Sequence, residues 1–304
     1  METFKIKGGF ELNGEITPQG AKNEALQVIC ATILTDDKVV INNIPDIVDV
    51  KRLINLLSKL GINIQKLTSN SYSFQSNNIN LDYLDSEEFK KDGQSLRGSI
   101  MIIGPLLTRF GKGCIPKPGG DKIGRRRLDT HFQGLVKLGG KFSYKRKDHF
   151  YTVKADKLKG TYILLDEASV TGTANILMAA VLAEGKTTIY NAACEPYIQQ
   201  LCKMLINGMG SNLLIIEGVK ELKGTEHTVL PDMIEIGSWI GLAAMTKSKI
   251  LIKNVSWENL GQIPNVFNSL GIDLIKKGDD MLIPKHNDGY EIKNDINGSI
   301  LTVS

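Results

Sequence analysis

The 304 residues contain no apolar run long enough to cross a membrane: stretches such as 100–107 fall far short of the roughly 20 residues a spanning helix needs. The first residues, Met1-Glu-Thr-Phe-Lys-Ile-Lys7, carry charge where a secretory signal needs an apolar core. A cytoplasmic location with no membrane partner is the expectation. The four cysteines (Cys30, Cys114, Cys194, Cys202) form no CxxC pair and have no histidine at zinc-like spacing, so neither a disulfide framework nor a metal site follows. They read mostly as small buried hydrophobes. Aromatics make up only 6% and the net charge is only +4, too little for the stacking platforms and broad basic face of a nucleic-acid surface. With 42% hydrophobic and 23% charged residues, the chain has an ordinary globular composition and length enough for two domains.

What positive charge there is lies concentrated. Between Lys112 and Arg127 stand six cations (Lys112, Lys117, Lys122, Arg125, Arg126, Arg127) against one anion, Asp121. Such a loop repels itself unless an anion occupies it. Gly119, Gly120 and Gly124 let the backbone approach a ligand closely, and guanidinium groups grip phosphate or carboxylate in bidentate fashion. A loop that closes over a small anionic substrate is the reading these residues favour over a solvated basic turn.

The chain also repeats itself. An Ala/Leu/Ile-faced helix over 20–34, a strand over 38–42, an amphipathic helix over 46–60 ended by Gly61, and a strand over 62–66 form one unit, preceded by a strand pair with glycine turns over 4–16. The same order recurs from 96 to 144, from 171 to 210 and from 235 to 276. Each unit alone leaves a helix face bare, so copies must pack together, with the small-residue helices suited to the interior. Three copies close one domain, 21–229. The fourth, with the N-terminal strands, is left for a second, 1–20 plus 230–304.

Several of these segments together resemble the enolpyruvyl transferase family: Gly20-Ala-Lys-Asn23, Arg97-Gly-Ser-Ile100, Gly104-Pro-Leu106, Pro118-Gly-Gly-Asp-Lys-Ile-Gly-Arg-Arg-Arg-Leu-Asp129, Ser169-Val170, Leu182-Ala-Glu-Gly-Lys-Thr-Thr-Ile189, Asn191-Ala-Ala-Cys-Glu-Pro196 and Leu230-Pro-Asp232. The resemblance covers nearly the whole chain. It implies an α/β fold of repeated βα units forming inside-out barrel domains, the second incomplete. It also implies transfer of enolpyruvyl from phosphoenolpyruvate to the 3-hydroxyl of UDP-N-acetylglucosamine, with release of phosphate and no metal or organic cofactor. By the same resemblance Lys22 and Asn23 contact phosphoenolpyruvate and Arg126 clamps its phosphate. Arg97, Arg127, Leu128, Asp129, Ser169 and Val170 hold the nucleotide sugar, although Leu128 and Val170 are equally read as packing residues. Asp232 and Glu195 read equally as helix caps or turn residues.

One position departs from the family pattern. The loop tip, commonly cysteine, is Asp121 here, and the resemblance implies that it delivers a proton to the methylene carbon of phosphoenolpyruvate. The neighbouring cations favour the carboxylate, so closure over a bound anion must raise the Asp121 pKa again for it to act as an acid. The last residues, Asn297-Gly-Ser-Ile-Leu-Thr-Val-Ser304, stop within what reads as a strand, and four of the family's six repeats are present. A truncated chain is therefore expected, without the family's catalytic-base aspartate and second-domain arginines. An inactive substrate-binding fragment and the sister activity on shikimate phosphate are the alternatives.

Overall fold

A computed structural model of the chain describes residues 3–119, 127–147, 149–206, 211–286 and 289–293. The loop cations Lys122, Arg125 and Arg126, together with Asp121, lie outside the described residues. Contacts divide the chain into two compact units, 22–229 and 1–21 with 230–304.

In chain order, β1 (Asn13–Ile16) is followed by α1 (Lys22–Ala31), β2 (Val39–Asn42), α2 (Val48–Lys59), β3 (Asn63–Lys66), β4 (Tyr72–Gln75) and α3 (Glu87–Gln94). A 3-10 turn, Arg97–Ile102, leads into α4 (Ile103–Phe110), β5 (Lys112–Pro116), α5 (Asp129–Lys137), β6 (Lys141–Lys145), β7 (Phe150–Lys154) and β8 (Tyr162–Leu164). Then come α6 (Val170–Ala180), β9 (Lys186–Tyr190), α7 (Pro196–Ile206), β10 (Leu213–Glu217) and β11 (Glu226–Thr228). The remaining elements are α8 (Met233–Met245), β12 (Lys249–Ile252), α9 (Ile263–Ser269), β13 (Ile275–Lys277) and β14 (Asp280–Ile283).

The larger unit carries three small sheets, ordered β11-β2-β4-β3, β5-β7-β6 and β10-β9-β8. Its last strand, β11, lies parallel to its first, β2, pairing Glu226 with Val40, which ties the end of the unit to its beginning. Helices α1 and α6 run through the middle: every residue of 24–31 and of 172–180 is buried. Such helices cannot carry bulk. Gly104 of α4 lies against α6, where an added Cβ would overlap the Asn175 backbone oxygen. The sheets face outward, and β10 alternates exposed and buried residues as a half-solvated strand does.

The repeated Leu-Gly signature has a local cause. After α2, Gly61 (φ 101°) donates its N–H to the Ser58 carbonyl while Ile62 N–H reaches the Leu57 carbonyl. Gly139 and Gly140 do the same after α5, and Gly271 and Ile272 after α9. Each ends its helix in a left-handed turn that satisfies carbonyls the helix leaves free.

In the smaller unit, β1 lies parallel to β12 in a sheet ordered β1-β12-β14-β13. Its core gathers Ile236, Ile240, Ile250, Ile252, Met281 and Ile283. Asp232 caps α8, accepting from Ile234 N–H at 2.9 Å. The N-terminal strand pair shortens to β1 alone, since residues 4–12 form no ladder and nearly all of their side chains are exposed.

Replacing Gly104 by alanine sets a methyl against the Asn175 backbone oxygen, which cannot turn away, and against its side-chain oxygen. The expected loss is about 1–3 kcal/mol in urea unfolding. A change below about 0.5 kcal/mol would mean that α4 and α6 do not approach this closely.

Candidate active site

The N-termini of α1, α5 and α6 and the 3-10 turn before α4 open onto one cleft in the larger unit, of about 640 Å³. Each contributes backbone N–H groups that the helix itself leaves free, so the cleft floor carries partial positive charge before any side chain is counted. Of the residues singled out in the sequence, Lys22, Asn23, Arg97, Arg127, Leu128 and Ser169 line it. Asp129 faces an adjoining apolar hollow of about 390 Å³, lined also by Phe132, Phe142 and Tyr151. Val170 opens α6, half-buried, and is not among the cleft-lining residues. Asp121 and Arg126 lie outside the described residues.

The lining also holds Asp49, Arg52, Ser95, His131, Glu167 and Thr171, which sequence reasoning passed over. Arg52 sits on the polar side of α2, where its charge reads as a solvated face. His131 sits within a repeat helix where nothing in its neighbours marks it. Four described cations, Lys22, Arg52, Arg97 and Arg127, therefore stand against two carboxylates, Asp49 and Glu167. Asp129 and Asp166, which pair with Arg127 beside the lining, bring the described charges to four against four, so the positive bias an anion meets comes from the helix N-termini and from cations it can draw out of these pairs.

These charges are held in place by counter-charges. Lys22 Nζ meets Asp49 Oδ2 at 3.0 Å, and Arg52 donates to the Ser95 carbonyl at 2.9 Å. Arg127 Nε donates to Asp129 Oδ2 at 2.9 Å, and its Nη2 pairs with Asp166. Hydrogen bonding to Arg127 holds the Asp129 carboxyl below the usual carboxylate range, and the two carboxylates raise the Arg127 pKa in turn. Ser169 caps α6 by accepting from Gly172 N–H at 3.2 Å. Glu195, just before α7, offers its backbone carbonyl to the Ile198 and Gln199 amides.

His131 is different. It is buried, and desolvation, reinforced by the nearby Arg97 cation, pushes its pKa down to about 3. It is therefore neutral at any working pH. Cys30, Cys114 and Cys202 are buried, with thiol pKa values raised by burial, whereas Cys194 is exposed. Among the described residues no cluster of His, Cys, Asp and Glu is arranged to hold a metal, and no helix is long and apolar enough to cross a membrane.

Residues 6–298 match the family described as EPSP synthase (3-phosphoshikimate 1-carboxyvinyltransferase). The chain is 61% identical over 310 aligned positions to a UDP-N-acetylglucosamine 1-carboxyvinyltransferase of Bacteroides fragilis, covering 100% of this chain and 71% of that protein. Identity to the enzyme of the same name from Porphyromonas gingivalis is 58%, with the same coverage. Among solved structures, the enolpyruvyl transferase NikO from Streptomyces tendae superposes with a TM-score of 0.79 at 16% identity, covering 92% of this chain and 67% of that one. EPSP synthase from Acinetobacter baumannii superposes with a TM-score of 0.70 at 16% identity, over 91% and 66%. At that identity the likeness is one of fold.

A histidine kept neutral when folded but free to protonate when unfolded makes stability rise with pH between its two pKa values. From about pH 6.5 downward, the unfolded chain takes up a proton that folded His131 refuses, at a cost approaching 1.4 kcal/mol per pH unit, so about that slope is expected. The difference between wild type and His131→Asn in denaturant unfolding at several pH values from 7.5 to 5 isolates this slope. Parallel pH dependences would contradict a buried, neutral imidazole.

Proposed function

The chain belongs to the EPSP synthase (3-phosphoshikimate 1-carboxyvinyltransferase) family, and we infer from that membership and from the cleft at its helix N-termini which reaction it serves. It transfers the enolpyruvyl group of phosphoenolpyruvate to the 3-hydroxyl of UDP-N-acetylglucosamine, releasing phosphate, as the first committed step of peptidoglycan synthesis. The observation that supports this most is the meeting of Lys22, Asn23, Arg97, Arg127, Leu128 and Ser169, far apart in sequence, around one positively biased cleft. Both substrates are soluble anions, which suits a cytoplasmic enzyme with neither membrane nor nucleic-acid partner.

Phosphoenolpyruvate brings several negative charges into a site that must exclude water, and only fixed cations and N–H groups can replace its hydration. Lys22, at the start of α1, combines its own charge with the helix dipole. It exchanges Asp49 for the incoming anion, and Asn23 beside it donates its amide. Arg126 closes over the phosphate. The nucleotide sugar lies along Arg97, Arg127, Leu128, Asp129, Ser169 and Val170, with the diphosphate toward the guanidinium groups and the start of α6.

In the reaction the sugar 3-hydroxyl gives up its proton as its oxygen bonds to C2 of phosphoenolpyruvate, the bond from C2 to the phosphate oxygen breaks, and in net one proton leaves on the phosphate. The product keeps its methylene group, so a proton placed on that carbon as the sugar oxygen adds must leave again with phosphate. Asp121 supplies this proton once closure and anion binding have shielded it from the neighbouring cations.

Two outcomes follow. Titration calorimetry should show binding of UDP-N-acetylglucosamine, weakened about tenfold or more by Arg97→Ala; preference for shikimate phosphate would reverse the assignment of the acceptor. Carboxylates attack epoxides far less readily than thiolates. The epoxide fosfomycin should therefore leave the wild-type loop unmodified by mass spectrometry and alkylate the Asp121→Cys variant. A time-dependent adduct on wild-type Asp121 would contradict this.

A further inference from the structure

Behind the cleft wall runs a chain of hydrogen bonds that the contacts above leave unused. Gly104 N–H of α4 donates to Asn175 Oδ1 of α6 at 2.7 Å. That bond fixes the amide, so Asn175 Nδ2 faces two acceptors, the Ile100 carbonyl at 3.1 Å and His131 Nδ1 at 3.0 Å. With Nδ1 accepting, the imidazole proton sits on Nε2, which donates to Thr171 Oγ1 at 3.1 Å. Asn175 and His131 are buried, while Thr171 is exposed and lines the cleft. A threonine hydroxyl has one hydrogen to give and two lone pairs to offer; His131 takes one lone pair, and the hydrogen has no acceptor among the described residues. It is available to a ligand in the cleft.

We propose that Thr171 is a further contact of the nucleotide-sugar site, donating its hydroxyl hydrogen to a phosphate oxygen, and that His131 and Asn175 are positioning residues that hold it as a donor. The proposal rests on the reading of the cleft as the nucleotide-sugar site. A free hydroxyl rotates to suit donors and acceptors alike. With one lone pair already taken by His131, Thr171 favours a group that only accepts, such as a diphosphate, over an amide or sugar hydroxyl that would have to use its remaining lone pair. Arg97 and Ser169 line the same cleft as Thr171.

The test compares ligands and variants in one titration series. Thr171→Val, which keeps the shape and removes the hydroxyl, should weaken UDP-N-acetylglucosamine binding about tenfold. It should leave binding of uridine, which has no phosphate, within about twofold, while Thr171→Ser stays close to wild type for both. His131→Gln retains an N–H near the Nε2 position and should bind nearly as wild type, whereas His131→Phe, which leaves the hydroxyl free to rotate, should show a smaller loss than Thr171→Val, about threefold. Thermal unfolding of Thr171→Val and His131→Gln checks that both remain folded. Undiminished binding by Thr171→Val, or an equal loss for uridine, would overturn the phosphate contact. Wild-type binding by a folded His131→Phe would overturn the positioning role. Failure of the wild type itself to bind the nucleotide sugar would instead count against the function proposed for the cleft.

Discussion

The approach of helices too close for side chains is the constraint from which the rest of the larger unit follows. Gly104 meets the Asn175 backbone, and Gly134 of α5 makes room for the Ile176 side chain. Bringing helix backbones this near in the interior of a three-unit domain leaves room for the sheets outside and aligns several N-termini at one opening. A positively biased cleft is thus a by-product of packing, and side-chain cations need only add to a field already there.

Those cations do not wait bare. Lys22 rests on Asp49, and Arg127 rests on Asp129 and Asp166. Half-exposed pairs of this kind are worth little to stability, so they cost little to exchange for a better anion. They still hold these long side chains at the cleft. The carboxylates also guard specificity, since a ligand has to outcompete them, and a dianionic phosphate does so more readily than a neutral sugar. A neutral His131 behind the wall belongs to the same economy of charge: a protonated imidazole there would be buried beside Arg97 without a counter-ion.

Much of this was legible in the chain. The Leu-Gly ends at Leu60, Leu138 and Leu270 marked the repeats because a left-handed turn after a helix favours glycine strongly, whatever surrounds it. The Gly-Ala-Lys-Asn segment marked a helix start facing an anion because its small residues suit the crowded core while its lysine opposes the helix dipole unless an anion joins both. Elements defined by distant partners were not legible. β4 and β7 escaped the sequence reading because their burial depends on strands and helices folded over them, as with Phe74 and Val153. The link from Gly104 through Asn175 and His131 to Thr171 joins residues 71, 44 and 40 positions apart, and no local pattern encodes such a chain. The aromatic hollow of Phe132, Phe142 and Tyr151 is of the same kind, assembled across a helix and two strands.

The central claim is that the helix N-termini of the larger unit receive the anionic end of the nucleotide sugar. Amide hydrogen exchange in the presence of saturating UDP-N-acetylglucosamine addresses it residue by residue. Slowed exchange is expected at the amides of residues 23, 98, 130, 170 and 171, where helix-terminal N–H groups would acquire a phosphate or carbonyl acceptor. Binding that leaves those amides unchanged, or that slows exchange only around Phe142 and Tyr151, would contradict it.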